Sequence, residues 1–431
     1  MDTVGRQASL TERRTPRVAV AFLLLFIIFE YLRLHEILPI LGTLRVQTVT
    51  FATLILIVFV ETAKRGIDLS QQSWLLLGFL GLTFFTIVPA VNQFFAYQFS
   101  FGLTLILIGY FAITHVLRNQ RDLKGFLSLL VAIHMYHAVN GVRGYSGQFD
   151  RYGFVSTGEP GGSFLGDEND LALAMVVILP FGLYLLRQSR SLPARIFWGV
   201  GSVMMLLSVV FTFSRGGFVG LGGMFLYWVV TSRNRAKAIG TLVVAAALMI
   251  AVAPAGYWAR IETIQHTDSG TAQVRWNSWA AARQMFYDSP IWGVGGNNFG
   301  VLLPDYAMEY PEERRPTQWG RVAHSLYFEL LAEFGLLGVL MIGSVILLNF
   351  RDIKKVMFLS QQGRCSASLL ELAESLRLSL VGFLVPAAFL SVLTYPHLYY
   401  LTGLTVVVCR LAFIESADLR PDLVGSRERT G

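Results

Sequence analysis

Twelve apolar runs limit this chain to one broad architecture before any other residue is considered. They lie near 18–34, 46–62, 73–91, 100–117, 124–140, 169–186, 196–213, 216–231, 238–256, 324–349, 373–393 and 397–414. A helix of about 20 residues covers the hydrocarbon of a bilayer. Backbone in lipid must satisfy its own hydrogen bonds, so each run is read as a helix. Charged residues make up only 15% of the chain, against about 25% in an ordinary soluble domain. The fold class is therefore all-α: a polytopic membrane protein of about twelve transmembrane helices, the shortest being 216–231.

The charges orient these helices. Lys64 and Arg65, then Arg118, Arg121 and Lys124, then Arg187, Arg190 and Arg195, then Arg233, Arg235 and Lys237, then Arg351, Lys354, Lys355 and Arg364 fall at every second turn. By the positive-inside rule these turns are cytoplasmic, and an even number of spans leaves both termini inside. The segments 33–45, 92–99, 141–168, 214–215, 257–323 and 394–396 then face outward, into the periplasm of a bacterial inner membrane. Residues 1–256 form helices one to nine, 257–323 one large periplasmic loop, and 324–431 helices ten to twelve with a cytoplasmic tail. Arg13, Arg14 and Arg17 before the first run imitate a signal peptide. No small-residue cleavage site follows, because Glu30-Tyr-Leu-Arg33-Leu-His35 comes next, so a retained first helix is expected. Cys365 and Cys409 fall on the cytoplasmic side, where a structural disulfide is not expected.

All five lysines are cytoplasmic in this arrangement, whereas the outer face carries only arginine: Arg33, Arg45, Arg143, Arg151, Arg215, Arg260, Arg275, Arg283, Arg314, Arg315 and Arg321. A guanidinium stays charged and matches phosphate or carboxylate with a planar fork of donors. Two accounts stand side by side. One is an anionic outer substrate; the other is composition alone, since Arg outnumbers Lys thirty to five.

Within the outer segments, several residues carry chemistry. Ser214-Arg215-Gly216-Gly217 sits where one span turns into the next, and its glycines open an approach to backbone amides at a helix start. The ordinary alternative is an arginine that snorkels to the headgroups. The long loop contains a helical stretch from Ala272 to Tyr287, stopped by Asp288-Ser-Pro290, with Arg275 and Trp279 on one stripe; it reads as an amphipathic helix along the membrane. The loop holds six Arg against seven Asp plus Glu, so anion binding must come from individually placed residues. It ends at Arg321-Val-Ala-His324-Ser-Leu-Tyr327, running straight into the tenth span. His324 could act as a general base or simply sit at the interface. At 100° per residue, Tyr327, Leu331, Gly335 and Gly338 share its face. Glu329 and Glu333 form another stripe and are expected to pair with arginines of neighbouring helices. Gly293-Val-Gly295-Gly296-Asn-Asn-Phe-Gly300 imitates a nucleotide loop, but no Lys-Ser/Thr follows it. Asp167, Asn169 and Asp170 before the sixth span read as caps, with a cation or sugar site as the alternative. His266 has no neighbours at ligand spacing, and no zinc set is present in the sequence.

Together these residues resemble the O-antigen ligase and O-antigen polymerase superfamily of bacterial inner-membrane glycan transferases. The likeness rests on Ser214-Arg215-Gly216-Gly217, on Asp288-Ser-Pro290-Ile-Trp-Gly293-Val-Gly295 with Asn298-Phe299, and on His324-Ser-Leu-Tyr327 leading into Leu331-Ala-Glu333-Phe-Gly335-Leu-Leu-Gly338. Gly166-Asp167 with Asn169-Asp170 is also similar. The resemblance implies a donor glycan on undecaprenyl pyrophosphate and transfer to an acceptor hydroxyl. That acceptor is a sugar of the lipid A core in ligases, the next repeat in polymerases and a protein side chain in other relatives. It further implies inverting, metal-independent chemistry without cofactor or nucleotide sugar, among membrane lipids and without nucleic acid. Carried over by position, Arg215 and Arg275 hold the pyrophosphate and His324 activates or orients the acceptor. Arg321 is a further candidate for the same anion, and Tyr327 accompanies it as a substrate contact.

A rival from another class is a transporter or flippase of lipid-linked glycans. Transporters often show repeated halves and broken helices near mid-bilayer. Here the polar residues gather at one membrane face and no internal repeat is found. Within the enzyme class the leaning is to ligase over polymerase.

Overall fold

Each of the twelve apolar runs falls on a helix in the computed structural model, which describes residues 16–34, 38–65, 69–145, 165, 168–212, 214–232, 234–252, 271–308 and 310–418. The helices are α1 (Arg17–Leu32), α2 (Pro39–Thr43), α3 (Val46–Arg65), α4 (Gln71–Phe85), α5 (Gln93–Val116), α6 (Gln120–Tyr145), α7 (Glu168–Gln188), α8 (Leu192–Phe211), α9 (Arg215–Thr231) and α10 (Arg235–Val252). After them come α11 (Thr271–Asp288), α12 (Phe299–Tyr306), α13 (Leu326–Gln361), α14 (Ala367–Leu384) and α15 (Pro396–Asp418). No strand occurs among the described residues. Gly166, Asp167, residues 253–270 of the long loop and its neighbour helix, and Arg13, Arg14, Arg151, Arg233, Arg260 and His266 lie outside the described residues.

Eight helices are long and apolar enough to cross a membrane: α3, α5, α6, α7, α8, α13, α14 with the turn after it, and α15. The helices α1, α4 and α9 span 16, 15 and 17 residues, short of the roughly 20 that a perpendicular crossing takes. Helix α7 is buried on every side from Leu171 to Leu185, so it forms the centre against which α6, α8, α9 and α14 pack. Helix α15 is the second buried column, lined by α5, α13 and α14.

Two boundaries differ from the apolar pattern. The run 373–393 ends early as helix, at Leu384, and a 3-10 turn from Pro386 to Phe389 leads to α15. A proline has no N–H to continue a helix and fits only its first turn. The second difference is inside α13, where Gly335 adopts φ 57° and ψ −155°. That conformation breaks the rod in two, and only glycine enters it without strain. The shared helical face expected from His324 to Gly338 therefore does not exist.

The break is filled by the loop that follows α11. Val294 donates its amide to Ala332 O at 3.0 Å and Gly295 to Glu333 O at 2.9 Å. In return, Leu336 and Leu337 donate to Pro290 O and Ile291 O at 2.8 and 3.1 Å. Non-helical backbone at membrane depth is tolerated only where protein supplies the missing partners, and here residues 290–295 supply them. The glycines that imitate a nucleotide loop serve this close approach: a Cβ on Gly293 would collide with the backbone of Glu333 and Phe334.

Candidate functional site at the head of α9

Ser214 starts α9. Its hydroxyl accepts the Gly217 amide at 3.0 Å, satisfying one of the open donors of the first turn, and donates to Asn169 Oδ1 at 2.7 Å. Asn169, read first as a cap of its own helix, ties the start of α7 to that of α9. Gly217 lies so close to Ala172 that any side chain there would overlap it. Arg215 is the first residue of α9 and is half-buried.

Arg275 comes from α11, the helix read in the long loop, here from Thr271 to Asp288. Burial pushes its guanidinium pKa down, and the nearby charge of Arg215 lowers it further. The two arginines, 60 residues apart in sequence, are therefore neighbours in space. One turn along α11, Trp279 donates its indole N–H to Ala323 O at 3.0 Å. Its ring stacks on Phe328 with centroids 5.0 Å apart, and Phe389 lies at 6.4 Å. These contacts seat the Arg275 helix on the junction that carries His324.

His324 does not start the helix, as the sequence pattern suggests. It stands two residues before α13, half-buried, with φ 51° in the left-handed region. A bulky residue there is unusual and marks a backbone held by its surroundings. Ser325 then turns extended and accepts the Glu329 amide at 2.9 Å, opening α13.

The turn between α14 and α15 touches all of these pieces. Leu390 lies against Gly216, Pro386 against Gly220, Phe389 against Trp279, and Leu384 O accepts the Tyr327 hydroxyl at 2.8 Å. The starts of α9 and α13 and the middle of α11 are thus gathered around one short segment, which sequence reasoning did not single out. Tyr327 is exposed, and its hydroxyl serves this structural bond. Arg321 is also exposed, its backbone held by Gln318 O at 3.2 Å, and the charge that acts on Arg275 is that of Arg215. Arg215 acts on Arg275, and Trp279 of the same helix reaches the backbone beside His324.

Among the described residues, Glu329 and Glu333 do not take the arginine partners expected of them. Glu333 accepts the Phe299 amide at 3.1 Å, at the start of α12, and Glu329 lies beside Ser391 and the Leu393 amide. No group of His, Cys, Asp and Glu among the described residues has the arrangement of a metal site.

The guanidinium groups of Arg215 and Arg275, beside helix-start amides, present donors suited to an anion. A diphosphate satisfies both with its paired oxygens. An imidazole on the neighbouring junction adds a group able to take a proton. Comparison with known proteins bears on the same segment: residues 200–343 match the family model described as O-antigen ligase, and no curated protein matches the chain. The matched segment contains Arg215, Arg275, Arg321, His324, Tyr327 and Glu333.

Proposed function

We propose that this chain, a member of the O-antigen ligase superfamily through residues 200–343, transfers a glycan from undecaprenyl pyrophosphate to an acceptor hydroxyl at the outer face of the bacterial inner membrane. The observation that carries this reading is the convergence of Arg215 and Arg275 beside the His324 junction. Its topology in this reading is twelve crossings with both termini inside, so that the heads of α9, α11 and α13 face the periplasm.

The chemistry balances without a further reactant. The acceptor oxygen attacks the anomeric carbon, and the carbon–oxygen bond to the pyrophosphate breaks with its electron pair leaving on the phosphate. Arg215 and Arg275 stabilise the charge that gathers there, often the largest contribution in such sites. His324 takes the proton of the acceptor hydroxyl as the new bond forms. The products are the glycosylated acceptor and undecaprenyl pyrophosphate.

The acceptor favoured here is a sugar of the lipid A core, which makes the protein a ligase. The test is the lipopolysaccharide of a deletion strain together with its lipid-linked glycans. Bare core with full-length chains left on the carrier supports the ligase. Core bearing a single repeat identifies a polymerase instead, and an unchanged pattern overturns both.

A further inference from the structure

We propose that Glu333 is a positioning residue for this transfer, holding α11 and the upper rod of α13 in register through the segment 290–299; the claim rests on the glycan-transfer reading above. Three observations lead to it.

The first concerns α12. Its N-cap residue, Asn298, makes no cap bond, because its side chain is spent elsewhere. Oδ1 accepts the Asn92 amide at 2.7 Å, and Nδ2 donates to Asn92 O and Gly296 O at 3.1 and 2.9 Å. The open amide of Phe299 is satisfied instead by Glu333 Oε1, from another helix, at 3.1 Å. A helix start left without partners in a buried place is costly, so the carboxyl fills a need that the local sequence leaves open.

The second concerns Glu333 itself. It is 2% exposed, and its other oxygen, Oε2, has no hydrogen-bond partner. An apolar side chain would fill the same space without the cost of burying a carboxyl group. What the carboxyl adds is a directed bond between α13 and α12.

The third is connectivity. The segment 289–298 leads directly out of α11, which carries Arg275, into α12. The upper rod of α13, Leu326 to Phe334, follows His324 by two residues and carries Glu333 near its base, seven residues or about 10 Å along the rod from Leu326. Trp279 ties α11 to the head of this rod through Ala323 O. At the base, Glu333 extends the backbone bonds made by residues 290–295 as far as the start of α12. The tie at the head and the ties at the base fix the tilt of one rod against the other, and Glu333 is the side-chain member of the second set.

The experiment uses the full-length protein in nanodiscs, with Glu333→Ala and Glu333→Gln. Transfer kinetics are measured beside the distance between spin labels placed by R283C and V322C, two exposed positions. For Glu333→Ala, kcat falls about ten- to hundredfold, the scale of a small misplacement, donor KM changes less, and the label distance broadens. Glu333→Gln keeps an acceptor oxygen and restores most of both. A narrow distance with lost activity overturns the proposal, as does wild-type kcat in Glu333→Ala. If Glu333→Ala does not fold, a folded but inactive Glu333→Gln with a narrow distance overturns it equally. Absence of transfer by the wild type would defeat the proposed function, while the label distance would still decide the positioning claim.

Discussion

Arg215 at the head of α9 and Arg275 on α11 stand close enough that the charge of the first lowers the pKa of the second. An anion bound by both relieves the repulsion that the first exerts on the second. Replacing either by alanine is expected to lower kcat/KM by about 100- to 1000-fold, the range for losing one donor to developing charge. Because both act on one group, the double variant should fall little further than the worse single one. Steady-state kinetics of the three variants checks this, and simple additivity would separate the two arginines into independent roles.

The same repulsion makes a second expectation about stability. Arg275→Met removes a half-buried like charge, so without ligand its Tm should equal or exceed that of the wild type. Inorganic pyrophosphate, which binds only the native site, should raise the wild-type Tm and leave that of the variant unmoved. A pyrophosphate shift of equal size in both would remove Arg275 from the anion site.

Trp279 is expected to matter through one bond. Trp279→Phe keeps an aromatic ring against Phe328 but abandons Ala323 O, a loss of about 1–3 kcal/mol for an acceptor left buried without its donor. Transfer should slow about tenfold, through a small misplacement of the junction, and thermal stability should fall in Trp279→Phe and further in Trp279→Ala. Kinetics equal to wild type in the phenylalanine variant would show that the His324 junction needs no such support.

Tyr306 offers a pH test of the loop. Its hydroxyl donates to Asp288 Oδ2 at 2.8 Å, joining the end of α11 to α12. Burial and then the Asp288 carboxylate push its pKa up to about 12, above the ordinary phenol value near 10. The folded state thus holds the proton more tightly, and the contribution is complete below pH 10 and lost as pH rises through 12. The difference in Tm between wild type and Tyr306→Phe should therefore be constant from pH 6 to 9. A difference that vanishes within that window would mean the bond is not made by a neutral phenol.

Much of this was legible because the signals are local. Apolar runs mark the helices, Asp288-Ser-Pro290 ends α11 where read, and Arg215, Arg275 and His324 stand out as ionisable groups at the edges of apolar runs or in the polar stretch between them. What was not legible depends on contacts between distant segments. Gly335 looks like one more small residue on a helical face until the loop 290–295 is seen inserted beside it. Glu333 reads as a partner for arginine, since nothing in its own sequence announces the open amide of Phe299. The turn Pro386–Phe389 lies inside an apolar run and carries no polar residue to draw attention, yet three helices meet around it. The Gly293–Gly300 stretch did carry a signal: dense glycine without a phosphate motif indicates close backbone approach.

The most direct test combines purified protein, a labelled glycan on undecaprenyl pyrophosphate and a hydroxyl acceptor in one membrane mimic. Wild-type protein is expected to glycosylate the acceptor and release undecaprenyl pyrophosphate, while His324→Ala, folded with the same Tm, does neither. Transfer by His324→Ala at the wild-type rate would contradict the account, as would a donor that crosses the bilayer intact with no new glycosidic bond.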